Sequence, residues 1–268
     1  MSQPVLPDEI VGIDVETTAL DPRQGEIIEV SAIRYRLTPD TASLLAGEET
    51  GEFSALTKPN KTLSAQITAI TGITPAMVAP QPPFSAIKDD LRSFIGDNVL
   101  FAHNASFDTG FLSYYGLDLQ NNPIWDTFTL AGIAWPEAPS YNLGMLAEMT
   151  GISVASEHRA GDDVRLAWQL LRKIRQQLTV SPEIYQYIQK LLQDSLKIHY
   201  LPLFTSPVSA RRASSTSDSS VSASPVGNFG DDHRFAAMNL PDILSSHGPL
   251  RTVLPGWHSR PEQLAMAQ

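Results

Sequence analysis

The sequence predicts an α/β fold: a mixed five-stranded sheet flanked by helices. Three observations lead there. Three strand-like runs form an initial meander within the first sixty residues, strands then alternate with helical patterns, and a long amphipathic stripe closes the ordinary part of the chain. The 268 residues are 42% hydrophobic, enough for a sizeable core, and contain no cysteine. Disulfides, zinc–thiolate sites and thiol nucleophiles are excluded, leaving carboxylates and histidine for any metal chemistry. A net charge of −10 argues against a broad surface that coats nucleic acid. It leaves open an enzyme whose carboxylates hold cations that meet one phosphate. No signal-peptide succession opens the chain and no apolar run reaches the roughly 20 residues of a membrane span, so a cytoplasmic protein without membrane association is expected.

The first strand is the apolar run Ile10–Thr18, which carries Asp14 and Glu16 two residues apart. Strand side chains alternate faces, so both carboxylates point to one side at the strand's end, where a divalent cation can join them. Leu20–Glu26 is turn-rich, Ile27–Arg36 reads as a second strand of a hairpin, and Gly51–Lys58 as a weaker third. Thr62–Thr71 is predicted helical up to Gly72, and a short helix begins at Thr74-Pro75, where proline suits a first turn.

Ser85–Ile95 is amphipathic, with Ile87, Leu91, Phe94 and Ile95 opposite Lys88, Asp89, Asp90 and Arg92. Asn98–Ala102 reads as a buried strand, and the segment from Asn104 to Gly116 as a helix with a cap candidate and a stop glycine, placing Asp108 in a first turn. Ile124–Asp126 is a last short strand before helices over Thr127–Trp135 and Leu143–Met149. From Gly161 to Leu178, the residues Val164, Ala167, Trp168, Leu171, Ile174 and Leu178 form one stripe, with Asp163 on the first turn. A further helix spans Pro182–Ile198, closing a domain of residues 1–200. Residues 205–234, rich in Ser, Ala and Pro, read as a flexible linker, and 235–268 as a short segment too small for a core of its own.

Three motifs stand at the mouths of these elements: Asp14-Val15-Glu16-Thr17-Thr18, His103-Asn104-Ala105-Ser106-Phe107-Asp108 and His158-Arg159-Ala160-Gly161-Asp162-Asp163. Singly, each has a plain explanation as a solvated strand edge, a cap or a helix-dipole partner. Together, in this order and at these separations, they resemble the DnaQ-like (DEDDh) 3′–5′ exonuclease family over about Leu6–Leu178. The resemblance implies a ribonuclease-H-like fold, two divalent metal ions (Mg²⁺ or Mn²⁺), and metal ligation by Asp14, Glu16, Asp108 and Asp163 with His158 as general base. Asp163 rather than Asp162 takes the ligand role, because the family's carboxylate stands five residues after the histidine. Thr17, Thr18, His103 and Asn104 are the implied substrate contacts, and Phe107 either packs or lies against a base, with packing favoured. Ala19 departs from the family's usual glycine and puts the shape of that turn in question. Asp126 is a candidate for supporting the ligands.

The expected activity is hydrolysis at single-stranded or frayed DNA 3′ ends. The alternatives are an RNA exonuclease on the same fold and a non-catalytic module that docks a polymerase or helicase partner. The tail Gly248–Gln268 resembles the lead-in to the helicase part of DinG-type proteins, yet no phosphate-binding Gly-x-x-x-x-Gly-Lys-Ser/Thr occurs in the sequence, so a truncated or split relative is expected. Tyr200-Leu201-Pro202-Leu203-Phe204 faintly resembles sliding-clamp-binding peptides; packing on the core is favoured there. His199, His233, His247 and His258 have no ligand spacing and read as surface residues.

Overall fold

The computed structural model describes residues 6–38, 45–153, 159–192 and 197–204. The expected linker and C-terminal segment, together with His158, His233, His247 and His258, therefore lie outside the described residues. Strand β1 (Glu9–Thr17) runs antiparallel to β2 (Ile27–Thr38), which pairs antiparallel with β3 (Ala46–Leu56). After β3 come helices α1 (Ala65–Thr71), α2 (Pro75–Val78) and α3 (Lys88–Ile95). Strand β4 (Val99–Ala102) then lies parallel to β1 on its other side, followed by α4 (Ala105–Tyr114) and β5 (Ile124–Asp126), parallel to β4. The sheet order is β3-β2-β1-β4-β5, the predicted mixed five-stranded sheet. Helices α5 (Thr127–Ala134), α6 (Leu143–Thr150), α7 (Ala160–Gln177) and α8 (Pro182–Leu192) complete the order.

Alternation along β1 divides the core. Val11, Ile13 and Val15 join Leu91 and Ile95 of α3 and Phe111 and Leu112 of α4 in one buried cluster. The opposite face, that of Gly12, Asp14 and Glu16, receives α7, whose Trp168 stacks on Tyr35 of β2 with ring centroids 4.5 Å apart. Gly12 makes this approach possible: a Cβ there would sit 2.4 Å from the Phe101 ring and 2.5 Å from Val164 of α7. Burial of these aromatic and branched side chains on both faces drives the sheet and helices together.

Several boundaries differ from expectation. The third strand starts at Ala46, because its pairing with β2 continues through Thr38 past a register irregularity near Tyr35. The helix expected over Ser85–Ile95 is a 3₁₀ turn (Phe84–Ala86) followed by α3. Of the helix expected over Pro182–Ile198, the described part is α8 (Pro182–Leu192), residues 193–196 lie outside the described residues, and Ile198–Leu203 is a 3₁₀ segment containing Pro202. That segment lies along β5: Trp125 Nε1 donates to the His199 carbonyl at 2.8 Å, and Asp126 N donates to Tyr200 Oη at 3.2 Å. Leu201 and Leu203 are fully buried, so the short apolar peptide packs on the body. His199 is half-buried, its Nε2 donating to the Ile124 carbonyl at 3.0 Å, which corrects its reading as a surface residue. Trp135–Pro139 belong to a separate unit and form a turn in which Ala138 N donates to Trp135 O. Among the described residues, no helix is long and apolar enough to cross a membrane.

Candidate active site

Asp14 and Glu16 emerge on the α7 face of β1 because their neighbours Ile13 and Val15 are spent in the core. Val164, one residue past Asp163, is the side chain pressed over Gly12, so the first turn of α7 stands directly above the end of β1. One carboxylate oxygen from each of Asp14, Glu16 and Asp163 lies within 4.8 Å of the others. Asp108 reaches the same strand from α4: it is 2% exposed, and its Oδ1 accepts a hydrogen bond from Val15 N at 3.0 Å. β4 covers only Ile10–Gly12 of β1, and the Asp108 side chain takes up a backbone donor that β4 leaves free.

The electrostatics follow from this crowding. Burial, and then the charges of Asp108, Asp163, Glu16 and Glu29, hold the Asp14 carboxyl well above the usual carboxylate range. Burial, with Asp163 and Glu29 adding to it and Arg159 opposing, pushes Glu16 up to about 7. Burial also raises Asp108, although the hydrogen bond from Val15 works the other way. Hard oxygen donors so close that some resist ionisation are the donor set that a divalent cation relieves, and the site fits that class of ion. Asp14, Glu16 and Asp163 are the side chains grouped to hold one.

The substrate-side residues divide. Asp14, His103, Asn104, Phe128, Tyr141 and Asp163 line an open cleft of about 490 Å³. His103 Nε2 donates to the Tyr141 carbonyl at 2.8 Å, and its Nδ1 stands 2.9 Å from Thr127 Oγ1. A carbonyl only accepts, so Nε2 carries a proton; burial holds the ring's pKa below the usual histidine value. His103 thus straps the Tyr141 segment to the site, and the Phe128 ring packs edge-on against both His103 and Tyr141. Thr17 Oγ1 donates to the Ala19 carbonyl at 2.7 Å and Thr18 Oγ1 accepts from Glu26 N at 2.9 Å, so both hydroxyls shape the β1–β2 turn that contains Ala19. Phe107 is half-buried and packs on Phe111, ring centroids 5.0 Å apart.

Asn104 does not cap α4 with its side chain; it adopts the left-handed conformation, φ 61°, which asparagine tolerates. The acceptor is Asp126, whose Oδ1 takes Asn104 N at 3.0 Å, Ala105 N at 3.3 Å and Phe128 N at 3.1 Å, while Oδ2 takes the Thr129 hydroxyl at 2.8 Å. Sequence reasoning missed three contributors. Gly12 is one. Glu29 is another: it faces Glu16 across the β1–β2 ladder and is bound by Arg159. The third is a pair of aromatic rings, Tyr141 and Phe128, that lines the cleft. Only Gly12, a glycine inside an otherwise apolar strand, carried a local signal.

The family model RNase_T, described as Exonuclease, matches residues 11–171. The PolC-type DNA polymerase III of Clostridium perfringens is 30% identical over 204 residues, covering 72% of this chain and 14% of the relative. The PolC-type DNA polymerase III of Bacillus subtilis is 35% identical over 169 residues, covering 61% of this chain and 11% of its own length. The chain thus spans only a small fraction of the curated relatives it matches. Escherichia coli exonuclease I in complex with a dT13 oligonucleotide is similar in fold, with a TM-score of 0.56 at 19% identity over 72% of this chain and 45% of that one. The family match takes in more than half of the sequence and the first and second motifs whole, and with the third motif's Asp163 inside it, the chain belongs to the RNase_T exonuclease family, the DnaQ-like 3′–5′ exonuclease class.

Proposed function

We propose that the chain hydrolyses phosphodiester bonds one nucleotide at a time from single-stranded or frayed DNA 3′ ends, with Mg²⁺ or Mn²⁺ held by Asp14, Glu16, Asp108 and Asp163. The observation that carries this reading is the convergence of three carboxylate oxygens, from the first and third motifs, within 4.8 Å. A pair of such cations, when bound, acidifies water and offsets charge growing on a leaving 3′ oxygen. The chain's own residues do the rest. Asp108 fixes the β1 backbone between the two first-motif carboxylates, and His103 holds the Tyr141 lip of the cleft, whose aromatic rings suit stacking with bases. His158 is the proposed general base: an imidazole titrates near neutral pH and can take the proton from the attacking water. The names of the PolC-type relatives favour DNA over RNA.

The test is a 5′-labelled single-stranded DNA incubated with Mg²⁺ or Mn²⁺, beside an RNA of the same sequence. A ladder shortening from the 3′ end is expected on DNA, abolished by EDTA and by Asp14→Ala; an intact substrate with the parent protein sinks the proposal. His158→Ala is expected to slow the ladder by roughly 10²–10⁴. The same proposal takes in a cytoplasmic location, a flexible linker over 205–234, and a DinG-type helicase lead-in over 235–268 that would join the nuclease to a helicase or polymerase partner. A phosphate-binding loop in the coding sequence beyond Gln268 is the observation that supports the helicase link.

A further inference from the structure

Glu29 is a buried carboxylate at an acidic site, and it belongs to none of the three motifs. Its side chain is 3% exposed, and it lies opposite Glu16 in the β1–β2 register. A carboxylate so placed persists only if it is paired and hydrogen-bonded. Among the described residues, its hydrogen-bond partners come from the start of α7. Arg159 Nη2 approaches Oε1 at 2.6 Å, Arg159 Nε lies 3.1 Å from both oxygens, and Ala160 N donates to Oε2 at 3.2 Å. Arg159 is the residue at the N-terminal boundary of α7 and makes no side-chain cap of its own, so Glu29 caps this helix from β2, 130 residues away in sequence. The next functional side chain along α7 is Asp163, whose N–H donates back to the Arg159 carbonyl at 3.0 Å. A shift of Arg159 therefore carries Asp163 with it.

We propose that Glu29 and Arg159 form a positioning pair that locks the first turn of α7 onto β2 and thereby sets the spacing of Asp163 from Asp14 and Glu16 that a divalent cation requires. This rests on the metal-dependent reading above. The pair acts through Asp163; neither member is a ligand. The fork of the guanidinium suits the task, because two donors fix the direction of approach as well as its distance.

The experiment uses the full chain and reads Mn²⁺ binding by electron paramagnetic resonance of the free ion, alongside kcat and KM on a dT oligonucleotide. Glu29→Gln and Arg159→Met are each expected to weaken Mn²⁺ binding by about tenfold, the range found for residues that orient metal ligands. At subsaturating metal both should lower kcat with KM for the oligonucleotide unchanged. The double variant should be no worse than the weaker-binding single, since both remove one interaction. Arg159→Lys, which keeps the charge but loses the fork, should weaken Mn²⁺ binding by a smaller factor, about threefold. If the first two variants fail to unfold cooperatively, Arg159→Lys decides alone, and a parental midpoint there overturns the proposal. So does a parental midpoint in both Glu29→Gln and Arg159→Met, or a raised KM in Arg159→Met with Glu29→Gln silent, which would assign Arg159 to the substrate. A parent that binds Mn²⁺ but cleaves nothing defeats the exonuclease reading and leaves the pair to be judged on binding; a parent that binds no Mn²⁺ overturns both.

Discussion

The Asp108 carboxylate accepts a hydrogen bond from the backbone N–H of Val15, the residue between Asp14 and Glu16, across 93 residues of sequence. One side chain thus does structural work on the strand that carries the first motif. Asp108→Ala leaves a buried N–H without its acceptor and should cost about 1–3 kcal/mol of stability as well as activity. Asp108→Asn keeps an acceptor oxygen and removes a charge that burial opposes, so its metal-free melting temperature should match or exceed the parent's at pH 7 while exonuclease activity is lost. Thermal unfolding in EDTA beside the ladder assay checks this. Equal destabilisation by both variants would contradict the assigned role.

Gly12 shows how little room separates β1 from α7. An alanine methyl there meets the Phe101 ring and Val164 at distances that real Cβ atoms do not show, and overpacking of this kind costs typically 1–3 kcal/mol. Because Val164 is adjacent to Asp163, Gly12→Ala should lower the melting temperature and weaken Mn²⁺ binding together. A variant that melts early yet binds Mn²⁺ like the parent would separate packing from the site.

The sheet was legible because β1, β2 and β4 are short, largely apolar runs bounded by turn signals, and α7 because Val164 to Leu178 keeps a helical stripe. The carboxylates were legible because the family's motifs are local in sequence. What escaped was long-range. Glu29 reads as an ordinary polar residue within a strand until register sets it opposite Glu16 and folding brings Arg159 to it. Asn104 reads as a cap because asparagine favours that place, but its backbone turns left-handed and the acceptor comes from Asp126, 22 residues on. His199 reads as solvent-facing because nothing in the sequence says that a 3₁₀ segment will close over β5.

Asp126 should prove a joint between two helices. Its Oδ1 accepts from Asn104 N and Ala105 N at the start of α4 and from Phe128 N in the first turn of α5, and its Oδ2 takes the Thr129 hydroxyl. A single helix cap is worth about 1 kcal/mol, so Asp126→Ala should destabilise by about 2 kcal/mol, more than an ordinary surface substitution. Asp126→Asn retains Oδ1 and should lose about half of that. Chemical denaturation resolves these differences; identical midpoints for alanine and parent would discard the joint.

The carboxylates give the metal-free protein an unusual pH dependence. Glu16 titrates at about 7 in the fold against 4.5 ordinarily, chiefly through burial and then through Asp163 and Glu29. A raised carboxyl pKa means that ionisation costs more in the folded than in the unfolded state. Its favourable contribution is therefore complete below about pH 4.5 and lost as pH climbs to about 7, a loss of at most about 3 kcal/mol for this group. Asp14 and Asp108, also raised, act in the same direction. In EDTA the parent should lose stability relative to Glu16→Gln between pH 4.5 and 7. Added Mn²⁺ should reverse the trend, because the cation binds the ionised carboxylates and displaces protons, so its binding midpoint should move to higher concentration as pH falls below 7. Parallel unfolding curves for parent and Glu16→Gln across that range, or a Mn²⁺ midpoint indifferent to pH, would show that Glu16 is not held in its protonated form.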